Sequence, residues 1–148
     1  QLILWCFKHL PFYFKVNVIG INRVYIKKGT NLCIFCKIVS KEVPSKGVYE
    51  DDTVYAFHDI NPVSPVHILI VPKKHILGIQ EMQEEDERIV GHMLYIAKII
   101  AERLGLAPDE NLNRGYRLVF NVGKDAGQSV FHLHLHLIGG RRMSWPPG

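Results

Sequence analysis

The segment Phe131-His132-Leu133-His134-Leu135-His136-Leu137-Ile138 carries a histidine at every second position. On a β-strand such residues share one face, neighbours about 7 Å apart, while the interleaved leucines turn to the core. Three imidazoles in a row fit more than one chemistry. They could form a solvated face, a metal site in which two histidines at i and i+2 grip one Zn²⁺, or a centre where a neutral imidazole attacks phosphorus. Spacing alone does not choose among these. The turn Gly127-Gln128-Ser129 just before the segment adds backbone N–H groups and a hydroxyl, a setting suited to an anion such as phosphate. Elsewhere, Cys33-Ile34-Phe35-Cys36 is a C-x-x-C pair, which reads either as metal or thiol chemistry or as two small residues on a short helix.

The elements that must position these residues follow from periodicity. Residues 32–40 read as a short helix, with Ile34, Phe35 and Ile38 on one side. Residues 48–50 and 53–57 read as two strands of a hairpin around Asp51-Asp52. Asn61-Pro62 and Ser64-Pro65 mark a loop, and 66–71 is an aliphatic strand that Pro72 stops. One long helix is expected over 84–104, where Ile89, Met93, Ile96, Ile100 and Leu104 recur at helical intervals. Acidic residues open it and Gly105 can close it. Gly91 within it implies a close packing partner at that point. Residues 116–122 and 130–138 read as the last two strands. The sum is an α+β domain with a mixed sheet and one main helix.

The chain has 148 residues, enough for one domain with a core. Its net charge of +4 favours anionic ligands, but the basic residues are scattered in pairs, without the dense stripe of a DNA-binding domain. No nucleic acid and no membrane are expected as partners, since no apolar stretch reaches the roughly 20 residues of a membrane span. Cys6, Cys33 and Cys36 are too few for a disulfide scaffold and favour a reducing compartment. The expectation is a cytoplasmic protein, the nucleus included. Residues 1–30 differ in character from the rest and read as an N-terminal extension of uncertain origin, for which an organellar leader stays open.

The segment Gln128-Ser129-Val130-Phe131-His132-Leu133-His134-Leu135-His136-Leu137-Ile138 closely resembles the histidine-triad signature of the HIT family. The resemblance runs over residues 31–148. Phe57-His58-Asp59-Ile60, the run from Pro65 to His75 and the tail Trp145-Pro146-Pro147-Gly148 look like the Hint branch, the histidine-triad nucleotide-binding proteins. The resemblance implies an antiparallel sheet of about five strands with one long and one short helix, two copies dimerising into a larger sheet. It implies a homodimeric purine nucleoside phosphoramidase that releases AMP or GMP from a P–N bond through a covalent nucleotidyl-histidine.

By the same resemblance His134 is the nucleophile, His132 helps orient it, and His136 contacts phosphate oxygens. Ser129 hydrogen-bonds near the leaving nitrogen, and His67 joins the histidine network. Asp59 accepts from the ribose hydroxyls. Ile34, Phe35, Ile38, Phe57 and Ile60 form the slot for the base. Asn121, Gly127, Gln128 and Val130 line the nucleotide site, and Trp145 reaches toward the partner subunit. Some HIT relatives bind zinc through a C-x-x-C pair and two histidines; the matching ligands are Cys33, Cys36, His67 and His132, with zinc structural and not needed for catalysis. His58, His75 and His92 read as structural bystanders. Alternatives are a Fhit-like dinucleoside polyphosphate hydrolase, a zinc hydrolase, and a nucleotide-binding protein-interaction module with little turnover.

Overall fold

The computed structural model describes residues 33–147; the expectations for residues 1–30, Leu32 and Gly148 fall outside them. The elements in chain order are α1 (Ile34–Val39), β1 (Gly47–Glu50), β2 (Val54–His58), β3 (Val66–Pro72), α2 (Glu87–Arg103), β4 (Tyr116–Val119) and β5 (Leu135–Gly139). The strands form one sheet in the order β1-β2-β3-β5-β4. Every pairing is antiparallel, which corrects the mixed sheet read from the elements and matches the antiparallel HIT-like α+β architecture.

Two apolar layers sandwich this sheet. On one face α2 lays Met93, Ile96, Ala97, Ile100 and Ala101 against Val54, Ala56, Ile68, Ile70, Leu133, Leu135 and Leu137. These side chains lose nearly all contact with water, and the resulting burial is the main term that stabilises the domain. On the other face α1 contributes Phe35 and Ile38, which pack on Tyr55, Phe57, Leu69 and Val71. The alternation of β3 divides its side chains between the two layers.

The long helix begins later than its periodicity suggests. A tight turn over Glu84–Asp86 precedes it, closed by reciprocal hydrogen bonds between Gln83 and Asp86. Asp86 is buried, and Lys74 Nζ lies 2.8 Å from its carboxylate. Leu104 is the C-cap and is exposed, so the apolar stripe ends at Ala101. The expected packing partner at Gly91 is absent among the described residues: nothing lies within 4 Å of where its Cβ would stand.

The final strands are shorter than expected for one shared reason. Residues 130–134 lie outside the ladder, and β3 pairs with β5 only from Val66↔Gly139 to Ile70↔Leu135. Pro72 has no N–H to continue the pairing. Leu133 N–H instead donates to the Ile76 carbonyl at 2.6 Å. With β5 starting at Leu135, β4 finds its last partner in the pair Val119↔His136.

Candidate active site and metal cluster

Of the three alternating histidines, only His136 sits on a regular strand; His132 and His134 occupy the irregular run before it. A shared strand face at even spacing is therefore not what holds them. Each is fixed by its own hydrogen bonds, and those bonds settle which nitrogen carries the proton.

His134 Nδ1 lies 2.6 Å from the His132 carbonyl oxygen. A carbonyl only accepts, so Nδ1 carries the hydrogen and Nε2 presents a lone pair. His67 stands on β3 opposite Ile138, two residues from Leu69, the partner of His136, so both imidazoles share a face. The backbone N–H of Val63 donates to His67 Nδ1 at 3.3 Å, which puts the His67 proton on Nε2. His67 Nε2 then donates to His136 Nδ1 at 2.9 Å. That leaves the hydrogen of His136 on Nε2, and this buried N–H has no partner among the described residues. An unsatisfied buried donor costs about 1–3 kcal/mol, and an oxyanion placed against it would remove that penalty.

A nucleophilic nitrogen and an anion donor thus sit side by side, the rings of His134 and His136 4.9 Å apart. Burial pushes the His134 pKa down, against the opposing pull of its bond to the His132 carbonyl and of the Asp59 charge. His136 is brought to about 4 by burial and by neighbouring His134 and His67. His67 is lowered by burial, with Asp59 opposing. All three are neutral near pH 7, the state a nucleophilic imidazole requires.

The remaining expected residues divide. Phe35 packs edge-on against both His134 and His132, with centroids 5.2 and 5.9 Å away. Phe35, Ile38 and Phe57 are buried in the layer beside α1, with Val130 packed against it. Ile34 is exposed at the start of α1, and Ile60 and Trp145 stand almost fully in solvent. Asp59 Oδ2 lies 3.5 Å from His67 Nε2, while Oδ1 accepts from Asn61 N–H. Ser129 and Gly127 are exposed and Asn121 is half-buried. The Gln128 amide is turned inward: it accepts from Gly123 N–H and donates to the carbonyls of Leu77 and Val130. Its side chain holds the 123–130 loop in shape, and Gly127 takes the left-handed conformation (φ +83) that glycine adopts most readily.

The cysteine pair corrects the expected ligand set. Cys33 and Cys36 meet His132 and His75, while His67 belongs to the separate group with Asp59 and His136. His67 cannot join the cysteines because its ring is already bonded to His136 on the sheet; His75, read as a bystander, arrives from the turn after Pro72. Residue types offered two candidates, and only the chain path after β3 separates them. His92 instead bonds Asp51 at 2.6 Å, a structural contact.

Within this cluster Sγ of Cys33 and Cys36 lie 3.4 and 3.5 Å from His132 Nδ1. His75 Nδ1 lies 3.2 Å from Cys36 Sγ and 3.1 Å from His132 Nδ1. Tetrahedral zinc, with Zn–N about 2.0 Å and Zn–S about 2.3 Å, holds its donors roughly 3.3–3.8 Å apart, so this donor set fits. His132 Nε2 donates to the Pro72 carbonyl at 2.9 Å, which fixes its lone pair on Nδ1, facing the cluster. Burial and the neighbouring Cys33 push the Cys36 thiol up to about 11 without a cation. A bound cation would reverse that shift by favouring the thiolate.

Residues 40–143 match the HIT domain family. A 14 kDa zinc-binding protein of Zea mays is 50% identical over 117 residues, 78% of this chain and 87% of the relative. The adenylylsulfatase HINT1 of Arabidopsis thaliana is also 50% identical over 117 residues, 78% of this chain and 76% of the relative. Among solved structures, a HIT family hydrolase from Legionella pneumophila has a TM-score of 0.73 and 48% identity, covering 78% of this chain and 99% of its own.

Proposed function

The chain belongs to the HIT domain family, and from that premise we propose that it is a hydrolase acting as a purine nucleoside phosphoramidase. The observation that carries the reading is the pair of opposed tautomers. His134 offers a lone pair at Nε2, and His136 offers an unpartnered N–H beside it. His134 Nε2 attacks the nucleotide phosphorus, forming a new P–N bond as the substrate's own P–N bond breaks and the amine leaves with a proton taken from solvent, which the later attack of water on the phosphorus returns. His136 Nε2–H stabilises the charge on the phosphate oxygens, and Ser129 hydrogen-bonds near the leaving nitrogen. Water then attacks the phosphorus, releasing AMP or GMP and restoring the imidazole. Asp59 takes the ribose hydroxyls, and the face around Ile34, Phe35, Ile38, Phe57 and Ile60 takes the base. Asn121, Gly127 and Val130 line the phosphate end, and Trp145 reaches the partner in a homodimer. Zinc on Cys33, Cys36, His75 and His132 is structural; the maize relative and a second plant relative are each named as zinc-binding proteins, which supports zinc as the metal.

The test is to trap the nucleotidyl-enzyme with a slow AMP-amine substrate and map it by mass spectrometry. The label is expected on His134, and a label elsewhere overturns the mechanism. His134→Ala should lower turnover at least a thousandfold while AMP still binds. The Arabidopsis relative's name points to a different leaving group on the same nucleotide. Faster release of sulfate from adenylyl sulfate than of amine would move the reading there. Faster cleavage of a diadenosine polyphosphate would favour a Fhit-like activity.

A further inference from the structure

The loop from Asp59 to Pro65 joins β2 to β3 and lies mostly in solvent, Ile60 and Val63 included. Little apolar burial holds its shape, so its hydrogen bonds must. Ser64 is the buried residue of this loop, with 8% of its surface exposed. Its hydroxyl donates to the Gly139 carbonyl at 2.7 Å. Gly139 ends β5 and is paired with Val66 on β3 and Tyr116 on β4, so the acceptor is a fixed point of the sheet. Next to Ser64 in the chain is Val63, whose backbone N–H donates to His67 Nδ1. The N–H that selects the His67 tautomer thus stands one residue from a buried anchor.

We propose that Ser64 is a positioning residue: its hydroxyl pins the loop to β5 and thereby keeps His136 a hydrogen-bond donor toward phosphate. The bonds run from Ser64 Oγ–H to the Gly139 carbonyl, from Val63 N–H to His67 Nδ1, and from His67 Nε2–H to His136 Nδ1. The last of them leaves the His136 proton on Nε2, where it has no partner among the described residues. At 3.3 Å the Val63 bond is already long, so a small retreat of the loop ends it. His67 is then free to carry its proton on Nδ1. In that state its Nε2 accepts from His136 Nδ1–H, and His136 turns a lone pair toward the phosphate oxygens. A stabilising donor becomes a repelling acceptor with no change in any of the three alternating histidines. Asp59 Oδ2 opposes this inversion from 3.5 Å, the far limit of a hydrogen bond to His67 Nε2. The proposal rests on the phosphoramidase reading for the reaction it serves, but the tautomers it concerns exist without substrate.

The experiment compares Ser64→Ala with the unaltered full chain by nitrogen NMR of histidine-labelled protein, without substrate, and by turnover of an AMP-amine. In the unaltered chain His67 and His136 should each carry the proton on Nε2. In Ser64→Ala both should become tautomeric mixtures, while His134 keeps its proton on Nδ1. The kcat of Ser64→Ala should fall about tenfold, less than the roughly hundredfold cost of deleting an oxyanion donor, because Asp59 still favours the original tautomer. KM should change less than twofold. Asp51→Ala, which loosens the fold away from the histidines, is the control for a loss of stability alone and should leave the tautomers as they were. Unchanged tautomers in Ser64→Ala overturn the proposal, as does a kcat within twofold of the unaltered chain. An equal tautomer shift in Asp51→Ala also overturns it, since Ser64 would then act through stability only. If the unaltered chain does not cleave AMP-amines, the phosphoramidase reading fails by itself, and the NMR comparison still decides the role of Ser64.

Discussion

Protonation is where single residues matter most. His136 is lowered to about 4 and His67 is lowered as well, both by burial, so the native state resists protons that the unfolded chain accepts. Unfolded histidine titrates near 6.5, so above that value neither state binds the proton and the groups contribute no pH dependence. As pH falls from about 6.5 toward 4 the unfolded state takes up more protons, and stability drops. Urea midpoints measured at pH 7.5 and pH 5 should show this loss, and His136→Gln should make the decline shallower. Turnover should fall at acid pH, below the ordinary histidine value from which burial lowers His134, because a protonated His134 has no lone pair at Nε2 with which to attack.

At the level of elements, two clasps hold the frame around the site. Asp51 accepts from the N–H groups of Thr53 and Val54 and from Tyr49 Oη, and it contacts His92 on α2 at 2.6 Å. Burial raises its pKa, but those hydrogen bonds outweigh it and hold the carboxyl well below the usual range. Asp51→Ala should destabilise the domain by about 2 kcal/mol in chemical denaturation while kcat changes little. The second clasp joins α1 to the turn after β3 and to the run before β5 through Cys33, Cys36, His75 and His132. Chelation, or Cys33→Ser, should remove one zinc per chain by elemental analysis and lower Tm by several degrees, with turnover persisting in the protein that stays folded. These clasps mark what the sequence could not disclose. The helices, hairpin and central strand follow from local periodicity, and the histidine, serine and aspartate types were visible in the chain. The choice of His75 over His67, and the departure of residues 130–134 from the ladder, depend on contacts between segments about 40–100 positions apart, as in Cys36 with His75 and Cys33 with His132.

For the whole molecule, the sheet edge governs assembly. β4 is an edge strand, paired only with β5 among the described residues. An exposed strand edge readily receives another strand, and the homodimer proposed above would join two sheets into one. Light scattering should give about twice the 17.0 kDa of one chain. A monomer that turns over fully would show that Trp145, although exposed, does not need a second copy to act.

The acceptor that fixes the His134 tautomer is a main-chain carbonyl, and no side-chain replacement deletes a carbonyl. Position 132 therefore has two separable inheritances. Its imidazole can be lost to drift together with the cysteine–histidine cluster, whereas its peptide oxygen passes unchanged to any descendant that keeps the same chain path. A lineage that abandons the cysteines and His132 would then still transmit a correctly presented nucleophile.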